Sequence, residues 1–169
     1  ATVPAGVYFR LIVFRKSGNN YVFQSVADYA SNGTGTPVLE RGKLLTRSGT
    51  IRVVGYSFNT TADLGDMPST YAYNSSTVSI PDMSKDFMTF DSGDITNVNS
   101  LSHNLLPVSF SQKLCKLTIT ISPTGFPSNT ITNCTGVYVK QGGNSTSWKI
   151  GPSTNVVAAN TNNTAAFSP

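Results

Sequence analysis

The sequence is short of charge. Only 12% of its 169 residues are Asp, Glu, Lys or Arg, about half the share of an average globular domain. It also has one histidine, one tryptophan and two cysteines. Each shortage excludes something. His103 stands alone between Ser102 and Asn104, and no nucleophile elbow occurs, so nothing supports a Ser-His-Asp set and His103 reads as a solvated loop residue. Two cysteines and one histidine do not make a zinc-ligand set. No apolar run approaches the roughly 18 residues needed to span a membrane, so no transmembrane segment is expected. Glycoside hydrolysis needs two facing carboxylates. The nearest acids, Asp91 and Asp94, lie in an Asp-Ser-Gly-Asp run that reads as turn chemistry and lacks the oxygen ligands of a calcium loop. No catalytic, metal-binding or cofactor-binding residue is assigned.

Basic residues outnumber acidic ones, giving a net charge of +4 and a pI near 9.2. The Lys and Arg are scattered, with only small groups such as Arg41 with Lys43 and Lys113 with Lys116. A nucleic-acid interface would gather them on one face or stripe, so no nucleic-acid partner is expected.

Ser, Thr, Asn and Gly occupy the space that charge leaves. Ser and Asn compete for backbone hydrogen bonds and Thr is stiff at χ1, which makes poor helix. The apolar residues alternate instead. Val7, Phe9, Leu11 and Val13 share one face of a first strand, with Tyr8, Ile12 and Phe14 on the other. Apolar character on both sides marks an inner strand or one covered by a partner. Ser17, Gly18, Asn19 and Asn20 form a turn, and residues 21–26 return as the second arm of a hairpin. A weaker strand is expected at Val38 and Leu39 or at residues 43–46. Residues 49–59 form a clear strand, with Ile51 and Val53 on one face and Val54, Tyr56 and Phe58 on the other. Gly55 inside it signals a bulge or a close backbone approach. Residues 60–85 read as a long irregular connection holding a short edge strand at Thr77–Ile80. A short strand at residues 86–90 precedes a loop over 91–104.

Residues 105–121 carry the sharpest fold signal. Val108 and Phe110 share one parity, whereas Leu117, Ile119 and Ile121 share the opposite one. A one-residue shift flips every side chain to the other face. The chain must therefore bulge or change sheets near Gln112 to Cys115. Further strands are expected at residues 130–140 and 147–151. About seven strands separated by turn signals predict an all-β, antiparallel β-sandwich with Greek-key connections over residues 1–151. Residues 152–169 read as a polar tail, a linker or a weak strand. Cys115 and Cys134 form either one disulfide or two buried thiols. Tyr71 and Tyr73 in the long connection, with Trp148, are candidates for a ligand-stacking platform. The start at Ala1-Thr-Val-Pro has no basic and apolar leader pattern, as expected of a processed product.

Several stretches resemble the N-terminal domain of the Bacteroidales fimbrillin family of type V pilins. They are residues 8–15 with Gly18 to Tyr21, residues 49–60 ending in Phe58-Asn-Thr, residues 86–90, and residues 108–121. The likeness covers most of residues 7–151, and Gln112 stands where many members carry histidine. The resemblance implies a transthyretin-like sandwich, usually followed by a second domain. It further implies export as a lipoprotein, proteolytic trimming, and polymerisation at the outer-membrane surface by β-strand exchange. The expected protein is then a fimbrial subunit with a role in adhesion. Its partners would be other pilin subunits and, through adhesion, surface receptors or glycans. A groove beside Val7, Phe9, Leu11 and Val13 is where an incoming strand would lie. A carbohydrate-binding sandwich is the alternative, and a jelly-roll coat protein ranks below it for want of a basic arm.

Overall fold

The computed structural model describes residues 3–45, 48–80, 86–96, 106–114, 138–139, 146–152, 157–159 and 165–166. Among them are eleven strands and no helix. They are β1 (Tyr8–Ser17), β2 (Asn20–Ala30), β3 (Val38–Gly42), β4 (Ile51–Ser57), β5 (Thr77–Ile80), β6 (Met88–Ile95), β7 (Ser111–Gln112), β8 (Tyr138–Val139), β9 (Thr146–Lys149), β10 (Val157–Ala159) and β11 (Ala165–Ala166). Seven have four residues or more; the excess over the expected number is made of two- and three-residue ladders.

Strands β1 and β2 form the expected hairpin. Gly18 has φ 61, as the first central position of a two-residue type II′ loop requires. β3 folds back on β2, and β4 returns to lie beside β1. The main sheet therefore runs β3-β2-β1-β4-β6-β7, with every pair antiparallel. An order of 3-2-1-4 is the Greek-key arrangement. A smaller sheet runs β10-β9-β5, and β8 pairs with β11. Pairing of β10 with β9 and of β11 with β8 carries sheet structure past residue 151, so of the three readings of that stretch the strand holds at residues 157–159 and 165–166.

The period-two pattern of β1 and β4 sorts their side chains into two cores. Ile12, Phe14, Val54 and Tyr56 face the small sheet, where Val78, Ile80, Trp148 and Ile150 meet them together with Phe87. Phe9, Leu11, Val13, Ile51 and Val53 face the opposite way, against Met88, Phe90 and Phe110. The fold is an antiparallel β-sandwich in which β1 is buried on both sides. Each large side chain buried in it contributes about 1.5–3 kcal/mol.

Two departures from the sequence reading have physical causes. β6 runs on to Ile95, through a stretch read as loop. Ser92 and Gly93 bulge opposite Val53, Gly93 takes φ 65, and the Ser92 hydroxyl accepts the Val53 N–H at 2.9 Å in place of a ladder bond. In the 105–121 stretch, only Ser111–Gln112 pairs among the described residues. Phe110 belongs to one core and Leu114 packs on the other. An unbroken strand would put both on one face, so the expected switch falls between them. Lys113 N–H, bonded to the Phe87 carbonyl at 2.9 Å, anchors the crossing. Cys115, Cys134 and His103 lie outside the described residues.

Gly55 is a close approach and not a bulge, since it pairs in register with both Leu11 and Phe90. A β-carbon there would meet Leu11 Cδ2 at 2.6 Å and the Arg10 carbonyl oxygen at 2.8 Å. Leu11 can rotate but the carbonyl cannot. Gly55→Ala should therefore destabilise the fold by about 1–3 kcal/mol, read as a lowered urea midpoint at unchanged slope.

Candidate functional site

The main sheet ends at β3, which has no strand on its outer side among the described residues. Val38 and Leu39 in this edge strand are 54% and 50% exposed. Leu39 pairs with Tyr29, whose ring stacks on Phe9 at 5.6 Å. Phe9 in turn meets the edge of Phe110 at 5.4 Å. Beside these rings opens a cleft of about 590 Å³, walled by Phe9, Leu11, Tyr29, Leu44, Val108 and Phe110 and rimmed by residues of the 31–37 loop. Its described lining carries no charged side chain. Burial raises the Tyr29 phenol above its usual range.

Of the four residues expected to flank a strand-receiving groove, Phe9 and Leu11 line this cleft. Val7 and Val13 are buried and do not. The expected stacking platform requires a correction. Tyr71 and Trp148 are buried in the core between the sheets, and Tyr73 packs edge-on to Phe14 at 5.2 Å. They do converge on one cluster, but inside the protein, because the irregular 58–76 segment folds its aromatic residues inward. None presents an open ring face for a sugar.

Two charge clusters lie on the small-sheet side of the main sheet, and sequence reasoning assigned neither. In the first, Arg10 is 1% exposed and clamps Asp28, with Nε to Oδ1 at 2.6 Å and Nη2 to Oδ2 at 2.9 Å. Arg41 from β3 adds a second guanidinium to Asp28 at 2.6 Å. Arg10 also donates to the hydroxyls of Tyr56 and Tyr71 and to the Asp66 carbonyl. Burial works against the Arg10 charge, but Asp28 and the two tyrosines outweigh it and hold the guanidinium above its ordinary pKa. In the second cluster, Arg52 binds Asp91 through two nitrogens, at 2.8 and 2.7 Å. Its guanidinium lies over the rings of Tyr21 and Tyr73. Lys16 bonds Asp94 at 2.6 Å, and Tyr21 donates to the same carboxylate. Asp91 and Asp94 are thus ion-paired across strands. Among the described residues no group of three or more His, Cys, Asp and Glu is placed to hold a metal ion, and no helix is long and apolar enough to cross a membrane.

The hidden pair Arg10 and Asp28 had a faint signal. Arg10 interrupts an apolar face, and Asp28 is the one acid of β2. An unbroken register from the turn would set Arg10 opposite Ala27. The bulge between Val13 and Phe14 brings Asp28 there instead, and nothing in the pattern announces it.

No family model matches the chain, and no curated protein or solved structure matches it.

Two pH effects follow from the second cluster. Lys16 first, and then Tyr21, hold the Asp94 carboxyl below its ordinary value. A lowered folded-state pKa contributes stability above the unfolded pKa, about 4, that disappears as pH falls through the folded value. Asp94→Asn should flatten the acid limb of stability against pH, measured as urea midpoints. At the other extreme, burial pushes the Tyr73 phenol up to about 12. A raised value protects the fold until the unfolded chain ionises near pH 10, and stability then falls up to about pH 12. The Tyr73 hydroxyl is buried without a hydrogen-bond partner. Tyr73→Phe should therefore leave neutral-pH stability within about 0.5 kcal/mol of the parent or raise it, while shrinking the alkaline loss seen by circular dichroism.

Proposed function

We propose that the protein is a structural subunit of a cell-surface fimbria, joined to neighbouring subunits by an added β-strand. The observation that carries this reading is the edge strand β3, with Val38 and Leu39 half-exposed beside an uncharged apolar cleft. Strand addition takes affinity from main-chain hydrogen bonds and register from alternate side chains entering pockets. A strand laid along β3 would extend the six-stranded sheet, and its side chains on the Leu39 face would lie against Leu39, on the same face as Tyr29 and the cleft further in. Single-chain proteins usually blunt such an edge with charge, proline or a covering segment. Here Arg41 is turned toward Asp28, leaving Glu40 as the one outward charge of β3. The resemblance to type V pilins points the same way. It supplies the partner, another pilin subunit in a head-to-tail contact that propagates into a fibre. It also supplies the place, the outer-membrane surface of a lipoprotein precursor, and the role in adhesion. A carbohydrate-binding reading has less support, since the aromatic residues it relied on are core residues.

The test is oligomer formation by the full-length processed protein, followed by light scattering and electron microscopy. The expected result is stable oligomers or fibres in the parent. The double variant Val38→Lys, Leu39→Lys should be a folded monomer, because the lysines add charge to the edge without touching the core. A parent that stays monomeric at every concentration, or a double variant that assembles like the parent, would refute the proposal.

A further inference from the structure

Residues 58–76 join β4 to β5 without regular structure, and irregular connections beyond about 15 residues are uncommon unless they serve as lids or binding loops. Most of this segment is exposed, yet Phe58, Leu64, Met67, Tyr71 and Tyr73 turn inward against the core between the sheets. Phe58 meets Phe87 at 5.4 Å, Tyr71 meets Phe23 at 6.0 Å and Tyr73 meets Phe14 at 5.2 Å. The segment is therefore a cover over an aromatic surface.

Its polar attachments to the main sheet centre on the first charge cluster. Arg10 Nη1 donates to the Asp66 carbonyl at 2.9 Å and to the Tyr71 hydroxyl at 3.1 Å. Arg41 Nη2 donates to the Gly65 carbonyl at 2.7 Å while also binding Asp28 at 2.6 Å. Met67 lies over Gly42, where a β-carbon would come within 3.2 Å of its sulfur. The edge strand β3 thus grips the cover directly, through Arg41 and Gly42. The three charged members differ in accessibility. Arg10 and Asp28 are 1% and 0% exposed, whereas Arg41 is 39% exposed. Arg41 is the member that solvent, or a molecule bound along β3, reaches first.

We propose that residues 58–76 form a latched strap, a unit that opens separately from the two sheets, with Arg41 as its release point on the edge strand. Loss of the Arg41 contacts leaves the Gly65 carbonyl with only the longer bond from Arg10 Nη2, at 3.4 Å, and loosens the strap. Asp28 stays paired with Arg10, so the sheet is not left with an uncompensated buried charge. Opening uncovers the aromatic surface of Phe14, Phe23 and Phe87. A molecule that engages Arg41 at the edge is thereby linked to exposure of a second apolar surface on the small-sheet side.

Sequence supplies a built-in test. The strap contains Phe58, Leu64, Tyr71 and Tyr73, which chymotrypsin cuts, and no Lys or Arg, so trypsin cannot cut it. Native-state proteolysis reports local opening when opening and closing are fast relative to cleavage. Arg41→Gln should raise chymotryptic cleavage after Leu64 and Tyr71 by roughly tenfold, the loss expected for charge-assisted hydrogen bonds. Tryptic cleavage at the other Lys and Arg sites should stay at the parental rate. If Arg41→Gln does not fold, Arg41→Lys carries the same comparison, since it keeps a positive charge near Asp28 but loses the planar fork that reaches Gly65. Unchanged chymotryptic cleavage would overturn the latch. A parallel rise in both proteases would overturn the independence of the strap.

Discussion

The structure depends on β1 being apolar on both faces. A strand that buries Phe9, Leu11 and Val13 on one side and Ile12 and Phe14 on the other cannot lie at a sheet edge or on a surface. It needs a strand along each flank, which β2 and β4 supply, and a layer over each face. The small sheet with Trp148 covers one face. The 106–110 stretch, entering with Phe110, contributes to the other. The Greek-key return of β4 to the side of β1 satisfies the second flank, and Gly55 lets the two backbones come close enough to pair.

Into this apolar strand the sequence places a single buried cation. Taking a guanidinium and a carboxylate out of water costs several kcal/mol per ion before their attraction returns it, and removing one partner costs about 3–5 kcal/mol. Arg10 and Asp28 therefore act as a register lock. In the unbulged hairpin Arg10 would face Ala27, and Asp28 would swing to the opposite core. Only the bulged pairing brings the two charges together. The same lock orients Tyr56 and Tyr71 and ties the irregular 58–76 segment to the sheet, so one ion pair organises the hairpin, the edge strand and the long connection at once.

Much of the framework was legible in the sequence because it rests on short-range chemistry. The hairpin was announced by Gly18 between two alternating runs, the central position of β1 by its two apolar faces, and the crossing near residue 112 by the parity of Val108 and Phe110. The short edge strand at Thr77–Ile80 was visible in the same way, and Val38 with Leu39 was one of the two places where a weaker strand was expected. What escaped was set by register. A single extra residue within the second arm of the hairpin, Gln24, decides that Arg10 meets Asp28. A bulge at Ser92 and Gly93 decides that Asp91 and Asp94 join a strand and pair with Arg52 and Lys16. Tyr71 and Tyr73 read as exposed because loops usually are, yet their contacts with Phe23 and Phe14 pull them toward the core. Of the candidate site, Phe9 and Leu11 were legible, whereas the cleft itself is made by Tyr29, Leu44 and Phe110 arriving from three other parts of the chain.

β1, buried on both faces and locked by Arg10, should be the last element to come apart, while β3 has no outer partner strand among the described residues. Residue-resolved amide hydrogen exchange under native conditions measures this directly. The amides of Leu11 to Phe14 should exchange only through global unfolding, with the slowest rates in the chain, and those of β3 through low-energy local opening. Exchange of the β1 amides as fast as, or faster than, those of β3 would contradict it.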